Sequence, residues 1–126
     1  MLSALALAAT LNLPISDDHG GFIRWYFPAI RYYVAQGYEF RVEGLCASAC
    51  TYVFIAPREQ LCVTKDAVFQ FHAASNPAGP SAASTGTAFL WAAYPLALRK
   101  RLGKLTDRIV TVRWPETAQF ARVCDD

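Results

Sequence analysis

The polar and apolar positions of this chain fall into two alternating periods. Tyr38-Glu39-Phe40-Arg41-Val42-Glu43 alternates apolar and charged residues, the signature of a strand, and Gly44 closes it. Leu11–Ile15, Leu61-Cys62-Val63 and Ala67-Val68-Phe69-Gln70-Phe71 also read as strands, with His72 closing the last. Between them the period lengthens. Ile23, Phe27, Ile30 and Val34 fall at i, i+4, i+7 and i+11, so Phe22–Gln36 is expected to be helical, with Gly37 as its stop. Pro28 falls inside that span, where it removes a hydrogen bond and kinks the axis unless the helix begins near it. Ala49–Ala56 is almost wholly apolar and ends at Pro57, a buried helix whose N-terminus lies at Ser48, a favoured N-cap residue.

The second half is less regular. Ala73–Thr87 holds Asn76, Pro77, Gly79, Pro80, Ser81 and Gly86, which predicts a mobile surface loop. Ala88–Leu102 reads as a helix with Phe89, Ala92, Ala93, Leu96 and Arg99 along one side, interrupted by Pro95. Its basic end (Arg99, Lys100, Arg101, Lys104) suits a helix C-terminus. The tail, Ile109–Val123, is short and ambiguous. Strands alternating with helices predict an α/β fold with a mainly parallel sheet.

The front carries no charge from Met1 to Ser16. It lacks the basic residues that open a signal peptide, and Thr10, Asn12 and Pro14 break it short of a membrane span. It reads as a short buried helix, Leu2–Ala9, with a signal-peptide remnant as the alternative, so this end leaves the compartment open.

Composition narrows the class. The 126 residues fit one domain, 1–126, and are enough to bury a core without obligatory disulfides or metal. With 54% hydrophobic and 17% charged residues the chain is not intrinsically disordered, and a net charge of +2 announces no nucleic-acid partner. So high an apolar fraction leaves room for apolar surface meant for a partner or for a further segment.

Four cysteines, Cys46, Cys50, Cys62 and Cys124, lack zinc-site spacing, and only His19 and His72 could join them, so no metal is expected. Paired, they allow three connectivities and imply an oxidising compartment; unpaired, they would pack as small buried hydrophobes.

Three pieces carry chemistry together. Asp17-Asp18-His19-Gly20-Gly21 is a tight turn between strand and helix that can present backbone N–H groups to an oxyanion. Ser48, within Cys46-Ala47-Ser48-Ala49-Cys50, sits at a strand-to-helix turn where the helix N-terminus favours negative charge. His72 ends a strand, where an open α/β sheet places its sites, and it can act as a general base near neutral pH. Each alone has an ordinary structural role: a cap, a turn, a strand-ending histidine.

In that order, Gly20-Gly21, Cys-Ala-Ser-Ala-Cys-Thr, Arg58, Cys62-Val63 and Phe71-His72 resemble the Clp-protease/crotonase superfamily, and most of all a bacterial group of predicted periplasmic, Clp-protease-like proteins. The resemblance spans roughly Leu11–Ala74, and the 24 residues from Ser48 to His72 fit its layout. It implies an open β-sheet with helices packed on it. It also implies a serine hydrolase or peptidase site with Ser48 as nucleophile and His72 as general base and acid. The N–H groups of Gly21 and Ala49 would form the oxyanion hole. It needs no cofactor, takes a peptide or protein substrate, and favours a structural disulfide, a periplasmic or secreted location and homo-oligomers assembled through the later helices, here the Phe89–Tyr94 run.

The departures are specific. The family's orienting acid would fall near Val112-Arg113-Trp114-Pro115, where none stands; Asp107 is the tentative third member, with Glu116 also close in sequence. Asp17-Asp18-His19 replaces a small polar residue and proline before the glycines, and carboxylates there oppose negative charge in an oxyanion hole. Family members begin with further strands, so the resemblance implies either a front that is truncated or a minimal form of the fold. A catalytically degenerate Clp-like domain that binds a peptide or protein is therefore the alternative function. A crotonase-type thioester site is a third, although no adenine-ribose pocket motif is visible. His19 is a minor candidate for a second base, and Cys50 for a reactive thiol.

Overall fold

The computed structural model describes residues 11–75 and 79–125. Its elements are β1 (Asn12–Asp18), α1 (Ile23–Ala35), β2 (Glu39–Ala47), a 3₁₀ helix (Ser48–Ile55), a 3₁₀ turn (Arg58–Gln60), β3 (Leu61–Val63), β4 (Val68–Phe71), α2 (Pro80–Ala93), α3 (Leu96–Leu102), β5 (Val110–Arg113), a second 3₁₀ helix (Glu116–Gln119) and β6 (Arg122–Val123). The expected helix Leu2–Ala9 lies outside the described residues.

β2 is the spine of a mixed, mainly parallel sheet. β1 runs parallel along one side of it. On the other side β3 pairs with its first half, Phe40–Val42, and β4 with its second half, Leu45–Ala47, both parallel. β6 extends the sheet beyond β3, parallel, and β5 extends it beyond β4, antiparallel. The register of β1 on β2 slips between Ile15 and Asp17. Gly44 permits this, because a Cβ there would collide with the Ser16 carbonyl. The α/β expectation therefore holds at the level of class, and the ambiguous tail resolves into β5, a 3₁₀ helix and β6.

α1 buries Phe27 and Ile30 of its predicted stripe, and the Phe27 ring stacks on Tyr52 at 3.9 Å. Pro28 lies on the exposed side of α1. The Gln60 amide donates to the carbonyls of Val34 (3.0 Å) and Tyr38 (2.9 Å), closing the C-terminal end of α1. Phe54, Phe69, Phe71 and Tyr94 form the aromatic centre of the core, all 7% exposed or less.

Three expectations change. The segment after Ser48 winds as a 3₁₀ rather than an α-helix. Thr51, Val53 and Ile55 are β-branched and Tyr52 and Phe54 aromatic, all weak α-formers, and the Thr51 hydroxyl bonds the Ser48 carbonyl one tight turn back. The loop predicted over Ala73–Thr87 is helical from Pro80 onward. Pro80 occupies the first turn of α2, where its fixed φ suits a helix start and its missing N–H costs nothing. Gly86 is a contact point rather than a breaker: a Cβ there would lie 2.5 Å from Ile23 Cδ1 and 3.2 Å from Ala74 Cβ. Finally, Pro95 divides the last predicted helix in two, with Tyr94 extended before it. Within Phe89–Tyr94 the structure turns Leu90 and Tyr94 into the core and leaves Phe89 and Ala92 exposed. No described helix is long and apolar enough to cross a membrane.

Candidate functional site

Ser48 begins the 3₁₀ helix immediately after the last residue of β2. Its φ is 57°, and among the described residues no other non-glycine has a positive φ. For a side-chain-bearing residue that conformation costs about 1–3 kcal/mol and persists only where the surroundings over-determine it. The N-cap position belongs to Ala47, and no side-chain cap bond forms, so the expectation that Ser48 caps the helix is corrected.

Three constraints hold the turn. The Cys46–Cys50 disulfide closes a ring around it. The Thr51 hydroxyl donates to the Ser48 carbonyl at 2.7 Å. That uses its single proton, so the 2.7 Å bond between Thr51 Oγ1 and the Tyr94 hydroxyl must have Tyr94 as donor. Thr51 is fully buried and Tyr94 1% exposed; burial pushes the phenol up, keeping it protonated and able to donate. The third constraint is Gly20, at φ 82°. A Cβ on Gly20 would lie 2.7 Å from both the Ala47 carbonyl oxygen and Ser48 Cβ, and 3.1 Å from the Ala49 nitrogen. The Gly-Gly turn thus rests directly on the Ser48 turn, carried there by the pairing of Asp18 with Cys46.

The two glycines differ in what they offer. Gly20 N–H donates to Asp18 Oδ1 at 2.8 Å, and the same oxygen accepts the Tyr26 hydroxyl at 2.8 Å. Tyr26 is pushed up to about 12 by burial, helped by the hydrogen bond and charge of Asp18. Gly21 N–H bonds no described residue, and its Cα faces the Tyr26 ring, 2.9 Å from where a Cβ would stand. Ala49 is the second residue of the 3₁₀ helix, so its N–H precedes the first internal bond. Asp17 is turned outward and pairs with His19 at 3.0 Å, both about three-quarters exposed. Of the two carboxylates before the glycines, Asp18 thus accepts two hydrogen bonds and Asp17 faces solvent beside His19.

His72 follows β4 directly. Ala47 of β2 lies opposite Gln70 of β4, so Ser48 and His72 are each the first residue past the carboxyl end of neighbouring parallel strands. His72 is half-buried, and its Nδ1 lies 2.8 Å from the Ala73 carbonyl oxygen. Among the described residues no hydrogen bond joins Ser48 to His72; such bonds are often long before substrate arrives. Asp107 is exposed and makes no hydrogen bond to His72, although its loop is adjacent: the Thr106 carbonyl accepts Ala73 N–H at 2.6 Å. Glu116 is engaged elsewhere, paired with Arg101 at 2.5 Å.

The cysteines form Cys46–Cys50 and Cys62–Cys124, with none free. This selects one of the three connectivities and corrects both the buried-thiol alternative and the reactive-thiol role for Cys50. Beside the site, a cavity of about 300 Å³ lies between β1, α1 and the first 3₁₀ helix; Ile15, Asp18, Trp25, Tyr26, Ile30 and Cys50 are among its lining residues. No group of three His, Cys, Asp or Glu among the described residues is placed to hold a metal ion.

Thr51, Tyr94 and the buttressing role of Gly20 escape a reading of the sequence. Tyr94 lies 43 residues from Thr51, inside an apolar run whose obvious use is packing. Only the clustering of a glycine turn before the Cys-Ala-Ser-Ala-Cys segment hints at the contact. No protein-family model matches this chain, and no curated protein matches it either.

Proposed function

We propose that this protein is a serine hydrolase or peptidase-like protein of Clp/crotonase type, transferring an acyl group through Ser48. The observation that carries the reading is Ser48 itself: a serine held at φ 57° on a strand-to-helix turn, against a glycine turn and beside a strand-ending histidine. Strain of this kind clusters at active sites. In the proposed reaction Ser48 Oγ attacks the substrate carbonyl carbon as His72 takes its proton. The N–H groups of Gly21 and Ala49 receive the oxyanion, donors worth about 2.7–4 kcal/mol each in comparable sites. Collapse breaks the bond to the leaving group, which takes the proton from His72. Water, with His72 again as base, then releases the acyl group from Ser48.

The substrate we propose is a peptide or protein, or a related acyl compound, and the residues require no cofactor for these steps. Two disulfides fit an oxidising compartment, so we place the protein in the periplasm or outside the cell. Treatment with a fluorophosphonate probe is expected to label wild type and not Ser48→Ala. A well-folded wild type that takes no label sinks the reading. The lack of a Ser48–His72 hydrogen bond favours a second reading, a catalytically silent domain that binds a peptide or protein. Capture of one partner equally by unlabelled wild type and Ser48→Ala would select it.

A further inference from the structure

Among the described residues no carboxylate is hydrogen-bonded to His72, yet the imidazole is not left free. Its Nδ1 lies 2.8 Å from the Ala73 carbonyl oxygen. A carbonyl oxygen only accepts, so this bond requires the proton on Nδ1 and leaves the lone pair on Nε2. That is the tautomer a general base needs, and it is the state an orienting carboxylate otherwise secures.

The Ala73 carbonyl belongs to the peptide that joins Ala73 to Ala74, and the other end of that peptide is also held. Ala74 N–H donates to Thr87 Oγ1 at 2.9 Å, and the Thr87 hydroxyl donates to the Ala83 carbonyl of α2 at 3.0 Å. The next peptide back is held too, by the 2.6 Å bond from Ala73 N–H to the Thr106 carbonyl. Gly86 lets α2 come close enough for this, since a Cβ there would crowd Ala74 Cβ at 3.2 Å. Hydrogen bonds in series polarise one another, so a donor-bound peptide presents a stronger carbonyl acceptor.

We propose that a main-chain carbonyl, that of Ala73, takes the place of the third triad residue, and that Thr87 is the positioning residue that fixes it. The catalytic consequence rests on the Ser48–His72 reading; the orientation itself does not. Asp107 then serves neither the tautomer nor the orientation of His72.

Long-range proton–nitrogen correlation spectra of the full-length protein test the orientation directly. They are recorded at about pH 8.5, above the range in which an ordinary imidazole titrates, and His72 is told from His19 with a His19→Gln variant. The expected result is the Nδ1–H tautomer for His72 in wild type, Asp107→Asn and Thr87→Ser, and a shift toward Nε2–H in Thr87→Val. In parallel, fluorophosphonate labelling is expected to slow at least about tenfold in Thr87→Val, as misplaced catalytic groups do. Thr87→Ser restores the rate, and Asp107→Asn stays within about twofold of wild type, as suits an exposed carboxylate. An Nε2–H tautomer in wild type overturns the proposal. So does a tenfold loss in Asp107→Asn, or a Thr87→Val protein with wild-type spectrum and rate. A folded wild type that shows the Nδ1–H tautomer but never labels supports the orientation and overturns the hydrolase reading instead.

Discussion

The two disulfides of this protein are built for different work. Cys62–Cys124 joins residues 62 apart and ties β6, the last strand, to β3. Cys46–Cys50 joins residues 4 apart and encloses only the turn that carries Ser48. A cross-link acts mainly on the unfolded chain, and its effect grows with the loop it closes. The long link therefore stabilises the domain as a whole. The short one restricts few unfolded conformations, yet those include the ordinary backbone states that Ser48 would otherwise prefer. One bond secures the fold and the other a local geometry, and stability and site reactivity should separate along that line.

The long link is expected to have the larger effect on stability. Chain-entropy arithmetic gives about 4 kcal/mol for a loop of this size. Cys62→Ala with Cys124→Ala should lower the urea midpoint accordingly, while the fraction that remains folded still takes a fluorophosphonate label at the wild-type rate. β6 has a second, weaker anchor in the Arg122 side chain, which pairs with Glu39. That pair is partly buried and lies far from the Ser48 turn, so it cannot substitute for the short link. A variant that kept its urea midpoint but lost labelling would reverse the assignment of the two bonds.

Cys46→Ala with Cys50→Ala is expected to cost about 2 kcal/mol, half as much, because its loop is so short. Labelling should instead fall by at least about tenfold in protein shown to be folded, since Ser48 would be freer to leave φ 57°. Both cysteines are 1% exposed or less, so the cavity left by two lost sulfurs adds to the stability term but not to the reactivity term. Equal labelling in the two double variants would show that Gly20 and the Thr51–Tyr94 chain hold the turn unaided.

The same division describes how far the sequence could be read. The strand at Tyr38–Glu43, the α1 stripe and the Cys-Ala-Ser-Ala-Cys turn are local patterns, and the structure contains each of them, although the strand is not closed by Gly44 and runs on to Ala47. Period, turn residues and spacing are properties of neighbouring positions, so they survive in one dimension. What holds Ser48 and His72 in place is only partly local: Gly20, Tyr94 and Thr87 reach the two turns from distant positions. Pro80 and Gly86 look like loop residues, yet one opens a helix and the other admits the close approach of Ile23 and Ala74. The choice of Cys46–Cys50 over Cys50–Cys62 depends on how β2 meets the 3₁₀ helix, and no spacing rule states that. Asp107 stands out in the sequence as a third residue because a carboxylate is visible there; a main-chain carbonyl, which every residue carries, does not.

Tyr94→Phe is the smallest of these changes and the most discriminating. It removes one hydroxyl, from a residue 1% exposed, whose proton goes to Thr51 Oγ1. Thr51 keeps its own donor bond to the Ser48 carbonyl, so the loss should be about 1 kcal/mol, a single buried hydrogen bond. The informative quantity is its coupling. Tyr94 and Cys46–Cys50 both restrain the Ser48 turn, so combining Tyr94→Phe with loss of the short disulfide should depart from additivity by about 0.5 kcal/mol or more. Combined with loss of Cys62–Cys124, the effects should simply add. Urea unfolding of the two triple variants beside their parents measures both couplings. Additivity in the first cycle would mean that the phenol and the short disulfide act on separate parts of the structure, and the Ser48 turn would then owe its φ to Gly20 and the covalent ring.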